Sequence, residues 1–203
     1  MINVVVDLSH HNGVVDFVAV KAAGIVGVIH KATQGAGSTK FADPMYVPNR
    51  ASAGTAGLLW GAYHFGDAAP PGDQADYFLE TATPTAGELI VLDWEANGPG
   101  STMSIQGAEA FVEEINAAAG RWPGLYTDLS HYRWIRAESP LKNCWLWLAR
   151  YSNAPGIDGW TLWQSTDGIF GPEPHTVPGI SGPCDRDQFN GDLERLQAFW
   201  SNG

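Results

Sequence analysis

The sequence predicts an α/β fold, a single irregular β/α barrel that is TIM-like in plan, and three observations carry that prediction. Short apolar runs alternate with amphipathic stretches five times along the first two-thirds of the 203-residue chain, the pattern of a parallel sheet whose crossovers are helices. The runs are apolar at consecutive positions, so both faces of the sheet are covered. None shows the polar alternation of a solvent-facing edge, which suits a sheet closed on itself.

The β-branched run 3–9 is the first strand, broken by the turn His10-His11-Asn12-Gly13. Asp16 is placed to cap a short helix that Gly24 stops. Residues 26–33 form the second strand, followed by a glycine-rich loop. Pro44 and Pro48 mark the start of an alanine-rich helix that ends near Gly57. The third strand covers 58–65, and residues 73–83 read as a helix with Ala75, Phe78 and Leu79 turned inward. The run 89–95 is the fourth strand, bounded by Gly87 and by Asn97-Gly98-Pro99-Gly100. Residues 104–119 give the clearest helix: Ile105, Ala108, Phe111, Val112, Ile115 and Ala119 fall at helical spacing, and Gly120 ends it. A short strand at 124–127 precedes an irregular helical piece around 132–136. The rhythm then changes, with strands at 145–151 and 160–164 and no helix between them. A Pro/Gly-rich loop leads to a last strand at 184–189, and 192–200 closes the chain as a helix. Without repeats, linkers or low-complexity stretches, residues 1–203 are expected to form one domain.

Composition removes several function classes. A formal net charge of −11 argues against nucleic acid as a partner, because neutralising phosphates needs clustered Lys and Arg. No segment approaches the ~20 apolar residues that cross a bilayer, and the first residues lack the basic region of a signal peptide. Two cysteines, Cys144 and Cys184, are too few for a disulfide framework, and free thiols are expected. No cofactor motif is present, and a monomer is expected.

In a β/α barrel, functional groups collect where strands run out at their carboxyl ends. Read in order, those ends carry Asp7; Lys31 and Thr33; Tyr63 and Phe65; Asp93 and Glu95; Tyr126; Trp147 to Tyr151; Trp163 and Gln164; and Asp185. Taken singly, each has a structural reading, since a strand-end Asp usually caps a turn and a strand Trp usually belongs to the core. Together they bring four carboxyls and many aromatics to one mouth. Asp93 and Glu95, two apart on a strand, share a face roughly 7 Å from each other. Carboxyls beside aromatics in a cleft are the chemistry of glycoside hydrolysis: one acid protonates the leaving oxygen, and negative charge supports the oxocarbenium-like centre. Apolar surroundings and like charges raise one carboxyl pKa so that it stays protonated near neutrality. Glu95, with the longer reach, is the expected acid, and Asp93, Asp7 and Asp185 supply the field around it.

These residues also carry a resemblance. Residues 6–13, Lys31-Ala32-Thr33-Gln34-Gly35, Gly61-Ala62-Tyr63-His64-Phe65, Leu92-Asp93-Trp94-Glu95, Trp147-Leu148-Ala149-Arg150-Tyr151, Trp163-Gln164 and Gly182-Pro183-Cys184-Asp185 follow in order. The chain resembles the glycoside hydrolase family 25 muramidases, the Chalaropsis-type lysozymes, over nearly its whole length. The resemblance implies a barrel with five helices around eight strands, and bacterial peptidoglycan as substrate. It implies cleavage of the β-1,4 bond between N-acetylmuramic acid and N-acetylglucosamine, with Glu95 as proton donor and Asp7, Asp93 and Asp185 lining the cleft. Tyr63, Phe65, Tyr126, Trp147, Tyr151, Trp163, Gln164 and Lys31 are the expected substrate-binding residues. Two departures stand out: Gln34 replaces an acid common in the family, and no wall-binding repeats follow the last helix. A separate wall-binding domain is therefore not expected. A lysin made in a host cytoplasm and released to the wall by a holin is the expected setting.

Three other readings stay open from the residues alone. His10, His11 and His64 near Asp7 would suit a metal-assisted hydrolase, but no His-x-x-x-His or Cys/His spacing appears, so structural histidines are favoured and no metal is expected. Cys184 as a nucleophile is disfavoured by the adjacent Asp185. A catalytically impaired carbohydrate-binding barrel, or a glycosidase of chitin-like polymer, would share the same cleft. The mechanism is open between a water-mediated route and one in which Asp93 orients the 2-acetamido group of the substrate as internal nucleophile, the second being favoured.

Overall fold

In the computed structural model, which describes residues 1–202, nine strands form one sheet. They are β1 (Ile2–Leu8), β2 (Gly27–Gln34), β3 (Phe41–Ala42), β4 (Leu59–Phe65), β5 (Leu89–Asp93), β6 (Gly124–Asp128), β7 (Trp145–Ala149), β8 (Trp160–Thr166) and β9 (Asp185–Phe189). The sheet runs β1-β9-β8-β7-β6-β5-β4-β2, and a parallel β1–β2 pairing closes it into an eight-stranded barrel. The two-residue β3 is an appendage on β2.

The helices are α1 (Phe17–Ala22), α2 (Tyr46–Ala56), α3 (Pro71–Ala82), α4 (Ile105–Ala119), α5 (Leu129–Tyr132) and α6 (Leu193–Asn202). Two expectations need correction. The barrel is mixed, because β9 runs antiparallel to both β8 and β1. Its connection from β8 holds no helix to return the chain to the starting end of the sheet, so the strand comes back in the opposite sense. The described residues hold six α-helices where the resemblance implies five, and the helical piece expected around 132–136 is the single turn α5. Asp128 causes it: its Oδ1 accepts from the Ser130 and His131 amides at 2.6 and 2.9 Å, so the turn starts three residues before the expected 132–136 piece.

Other boundaries follow from local chemistry. Asp16 Oδ1 accepts from the amides of Val18 and Ala19 and starts α1. Pro71 opens α3 two residues before Asp73, since a proline costs nothing where no amide partner exists. Ser104 Oγ accepts from the Gly107 amide at 3.0 Å to cap α4, and Gly120, at φ 70°, ends it in the left-handed conformation.

Strand alternation sorts the apolar side chains into two layers. Val5, Ile29, Leu89, Val91, Leu162 and Phe189 point into the barrel. Val6, Leu8, Val28, Ile90 and Leu92 point outward, where Phe78, Phe111, Val112 and Ile115 of the helices cover them. At the amino end of the strands α6 inserts Leu196 and Trp200, both fully buried, into the interior layer. The Trp200 indole N–H donates to the Trp60 carbonyl at 2.7 Å. The barrel is thereby sealed at one end and open at the other. Cys144 and Cys184 are both free thiols.

Gly27 sits where Trp200 seals the barrel, and a Cβ there would lie 2.6 Å from the indole ring. The ring is fixed by its hydrogen bond and cannot swing aside. Gly27→Ala is expected to destabilise the fold by about 1–3 kcal/mol through overpacking, seen as a lower Tm by calorimetry.

Candidate active site

The open end of the barrel holds a cleft lined by Asp7, Tyr63, Asp93, Glu95, Tyr126, Trp147, Tyr151, Gln164 and Asp185. Seven strands deliver these groups. β5 ends at Asp93, but the inward–outward alternation persists for two more residues, because the Trp94 amide still donates to the Tyr126 carbonyl at 2.9 Å. The Trp94 indole turns away from the cleft, is 1% exposed and donates to the Met103 carbonyl at 2.9 Å. With Trp94 anchored outward, Asp93 and Glu95 both face the mouth.

A hydrogen-bonded relay forms the floor. The Tyr126 hydroxyl donates to Gln164 Oε1 at 2.7 Å, and Gln164 Nε2 donates to Asp7 Oδ2 at 2.8 Å. The Trp147 ring meets Tyr126 edge-on, with centroids 4.8 Å apart. Trp147 itself is 2% exposed, so it braces the floor rather than offering an open face. Tyr151 stands at the rim, 40% exposed. Lys31 and Phe65 lie beside the cleft: the Lys31 ammonium sits 4.8 Å over the Phe65 ring and donates to Gln34 Oε1 at 2.6 Å.

One expected residue is elsewhere. Trp163 is 1% exposed and packs with Leu146, Leu148 and Trp160 on the outer face of the sheet. Its indole N–H donates to the Arg150 carbonyl at 2.7 Å. Since Gln164 points into the cleft, its neighbour on the strand must point out, and Trp163 is a core residue. His64 is structural as well: it is fully buried between Thr33 Oγ1 at 2.8 Å and Gln74 Oε1 at 3.0 Å, leaving neither ring nitrogen free. Burial pushes the Cys184 thiol up to about 12, so it carries no thiolate at neutral pH.

Sequence reasoning missed Asp187. It is fully buried on the barrel interior, and its Oδ1 accepts from the Trp147 indole N–H at 2.7 Å. The i, i+2 rule applied to Asp93 and Glu95 finds it equally well from Asp185. Asp128 and His131 were also unread as neighbours of Glu95; they act on its charge from α5.

The carboxyls are held in an environment that favours protons. Burial raises Asp93, the charge of Glu95 raises it further, and Lys31 opposes both. Burial likewise raises Glu95, followed by Asp128, against His131 and Lys31. Asp7 is raised by burial and then by Asp187, while Asp185 reaches about 9 through burial and the charge of Asp7. Asp93 Oδ1 is buried and has no hydrogen-bond partner among the described residues.

Protonatable carboxyls among aromatic side chains, at the open end of a β/α barrel, define the class: a barrel glycosidase. Residues 6–171 match glycosyl hydrolases family 25. The chain belongs to that family and is a glycoside hydrolase. It is 31% identical to Lysozyme M1 of Streptomyces globisporus over 97% of its own length and 71% of that protein's. It is 31% identical to an N,O-diacetylmuramidase of Chalaropsis sp over 79% of this chain and 86% of the relative. The crystal structure of the bacterial lysozyme from Streptomyces coelicolor superposes with a TM-score of 0.84 at 27% identity, covering 100% of this chain and 99% of the other.

The raised carboxyls fix the sign of a pH effect on stability. Folded Asp185 holds its proton to about 9, against an ordinary value of 3.8. The stability it contributes is present at low pH and is lost as pH rises through the folded value. His64, lowered to about 4 by burial, acts oppositely but only below neutrality. The Tm is therefore expected to fall between about pH 7 and pH 9, and to fall less in Asp185→Asn, as followed by thermal melts across that range.

Proposed function

We propose that the enzyme is an N-acetylmuramidase of bacterial peptidoglycan, hydrolysing the β-1,4 bond between N-acetylmuramic acid and N-acetylglucosamine with Glu95 as general acid. The observation that carries this reading is a pair of carboxyls in one cleft, both raised, that differ in exposure and in hydrogen bonding. Glu95 is half-buried and raised, and so can bring a proton to a glycosidic oxygen. Asp93 is 7% exposed and keeps one buried oxygen without a donor. A buried acceptor of this kind is satisfied by an amide N–H from the substrate, which an N-acetylated sugar supplies. The relatives named lysozyme and diacetylmuramidase support the same substrate class.

In the proposed reaction Glu95 protonates the leaving oxygen as the anomeric carbon–oxygen bond breaks. The carbonyl oxygen of the 2-acetamido group closes on the anomeric carbon, and Asp93 accepts the acetamido N–H and balances the positive charge on the ring so formed. Glu95, now a carboxylate, takes a proton from water, whose oxygen attacks the anomeric carbon and reopens the ring. The Glu95 proton is restored and the anomeric configuration is retained. Tyr63, Tyr126 and Tyr151 contribute contact surface along the sugar, and Asp7 and Asp185 line the floor beneath it.

Glu95→Gln is expected to lower the clearing of wall suspensions by roughly 10²–10⁴-fold, the range for loss of a general acid, while the protein still sediments with walls. Mass spectrometry of the digest should show new reducing ends on muramic acid and none on glucosamine. NMR during hydrolysis should show the β-anomer first; an initial α-anomer would exclude participation of the acetamido group.

A further inference from the structure

We propose that Asp187, one layer beneath the cleft floor, is a positioning residue that shares a single proton with Asp7 and through it fixes the charge and aim of the carboxyls above. Asp187 has no exposed surface, and a carboxylate in such a place must be paired or hydrogen-bonded. Its Oδ1 has the Trp147 indole N–H. Its Oδ2 is buried without a donor among the described residues. The side chain within hydrogen-bonding reach is Asp7, itself 7% exposed. Strand register sets that contact: Val5 faces Asp187 and Asp7 faces Asp185 across the antiparallel β1–β9 pair, so Asp7 and Asp187 are diagonal neighbours on one face.

Two buried carboxyls in contact, Asp187 with the Trp147 indole as its one donor and Asp7 flanked by the Gln164 amide and the Asp185 carboxyl, cannot both be ionised; they titrate as a pair with one proton between them. Among the described residues no cation forms an ion pair with either carboxyl. Arg186, next in the chain, acts on Asp187 only through its charge, because it alternates to the other face, where its guanidinium donates to Asn3 Oδ1 at 3.2 Å. Lys31, on β2 beside β1, acts on Asp93 and Glu95. From the remaining elements the pair faces Asp185 of β9, Tyr63 of β4, Tyr126 of β6 and the neutral Gln164 of β8. Asp187 and Asp7 are both raised, by burial first and by neighbouring carboxyls after it, as a retained proton requires. That proton holds the floor at one negative charge instead of two, directly below Asp93 and Glu95. It also fixes the Asp7 carboxyl between Asp187 and the Gln164 amide.

This inference rests on the proposed reaction only for its kinetic readout; its main test does not involve substrate. The Trp147 indole N–H, which donates to Asp187, reports the pair in ¹⁵N–¹H NMR of the intact protein. In the wild type its resonance should move in one step on the alkaline side of neutrality, when the shared proton leaves. The step should vanish in Asp187→Asn, whose amide replaces the proton permanently, and in Asp7→Asn, which removes the partner. In hydrolysis of wall fragments, Asp187→Ala should lose roughly ten- to a hundredfold in kcat with KM little changed, the effect of a misplaced catalytic group, and Asp187→Asn should recover most of that loss. A wild-type indole resonance that stays flat across the alkaline range, or a step that survives in either asparagine variant, overturns the proposal whether or not the protein cleaves peptidoglycan. Because the asparagine variants keep the size and hydrogen-bonding of the originals, the test stands even if Asp187→Ala does not fold.

Discussion

The pairing of β1 with both β2 and β9 is the constraint on which the site depends. Through it the first strand meets the last, and Asp7 is set directly opposite Asp185. Without it the barrel would be an open sheet and its carboxyls would spread along an edge. With it, groups more than 170 residues apart share one face of the cleft, and the relay from Tyr126 through Gln164 to Asp7 spans from β6 to β1 across the mouth. The reversed direction of β9 matters as well. It presents Asp185 and Asp187 in succession down the inner wall, one at the cleft and one below it.

Crowding acids at one end of a fold opposes folding unless their charge is suppressed. The barrel suppresses it by keeping water away. Trp147 braces the floor, Trp200 and Leu196 seal the far end, and the aliphatic interior lies between them. A carboxyl in that setting keeps its proton where an exposed one would release it. The architecture that destabilises the charged form thus favours the protonated form of Glu95, while Lys31 and His131 limit how far the shift goes. Stability and reactivity draw on the same burial, which is why the site belongs to a rigid barrel rather than to a loop.

Much of this was legible in the chain. The apolar runs ending in Asp7, Asp93 and Asp185 located the cleft, because strand ends and barrel mouths coincide. Tyr63, Tyr126, Tyr151 and Gln164 fell into place by the same rule. Trp163 did not, because membership of a strand end does not say which side of the sheet a residue takes; only its neighbour Gln164 settles that. Asp187 was passed over because attention stopped at the first acid of its strand. The direction of β9 was hidden for another reason: nothing in the loop between β8 and β9 records whether the chain crosses the barrel or turns back. The turn α5 was shifted by a single side chain, Asp128, whose capping role outweighs the weak helical preference of the residues that follow.

The helix that plugs the barrel also decides where the termini emerge. β1 begins and α6 docks at the sealed pole, so the first strand and the last helix both lie on the side facing away from the cleft. A passenger domain or an affinity handle genetically joined at either terminus would trail behind the enzyme as it engages a rigid polymer sheet, with no need for a linker long enough to reach around the molecule.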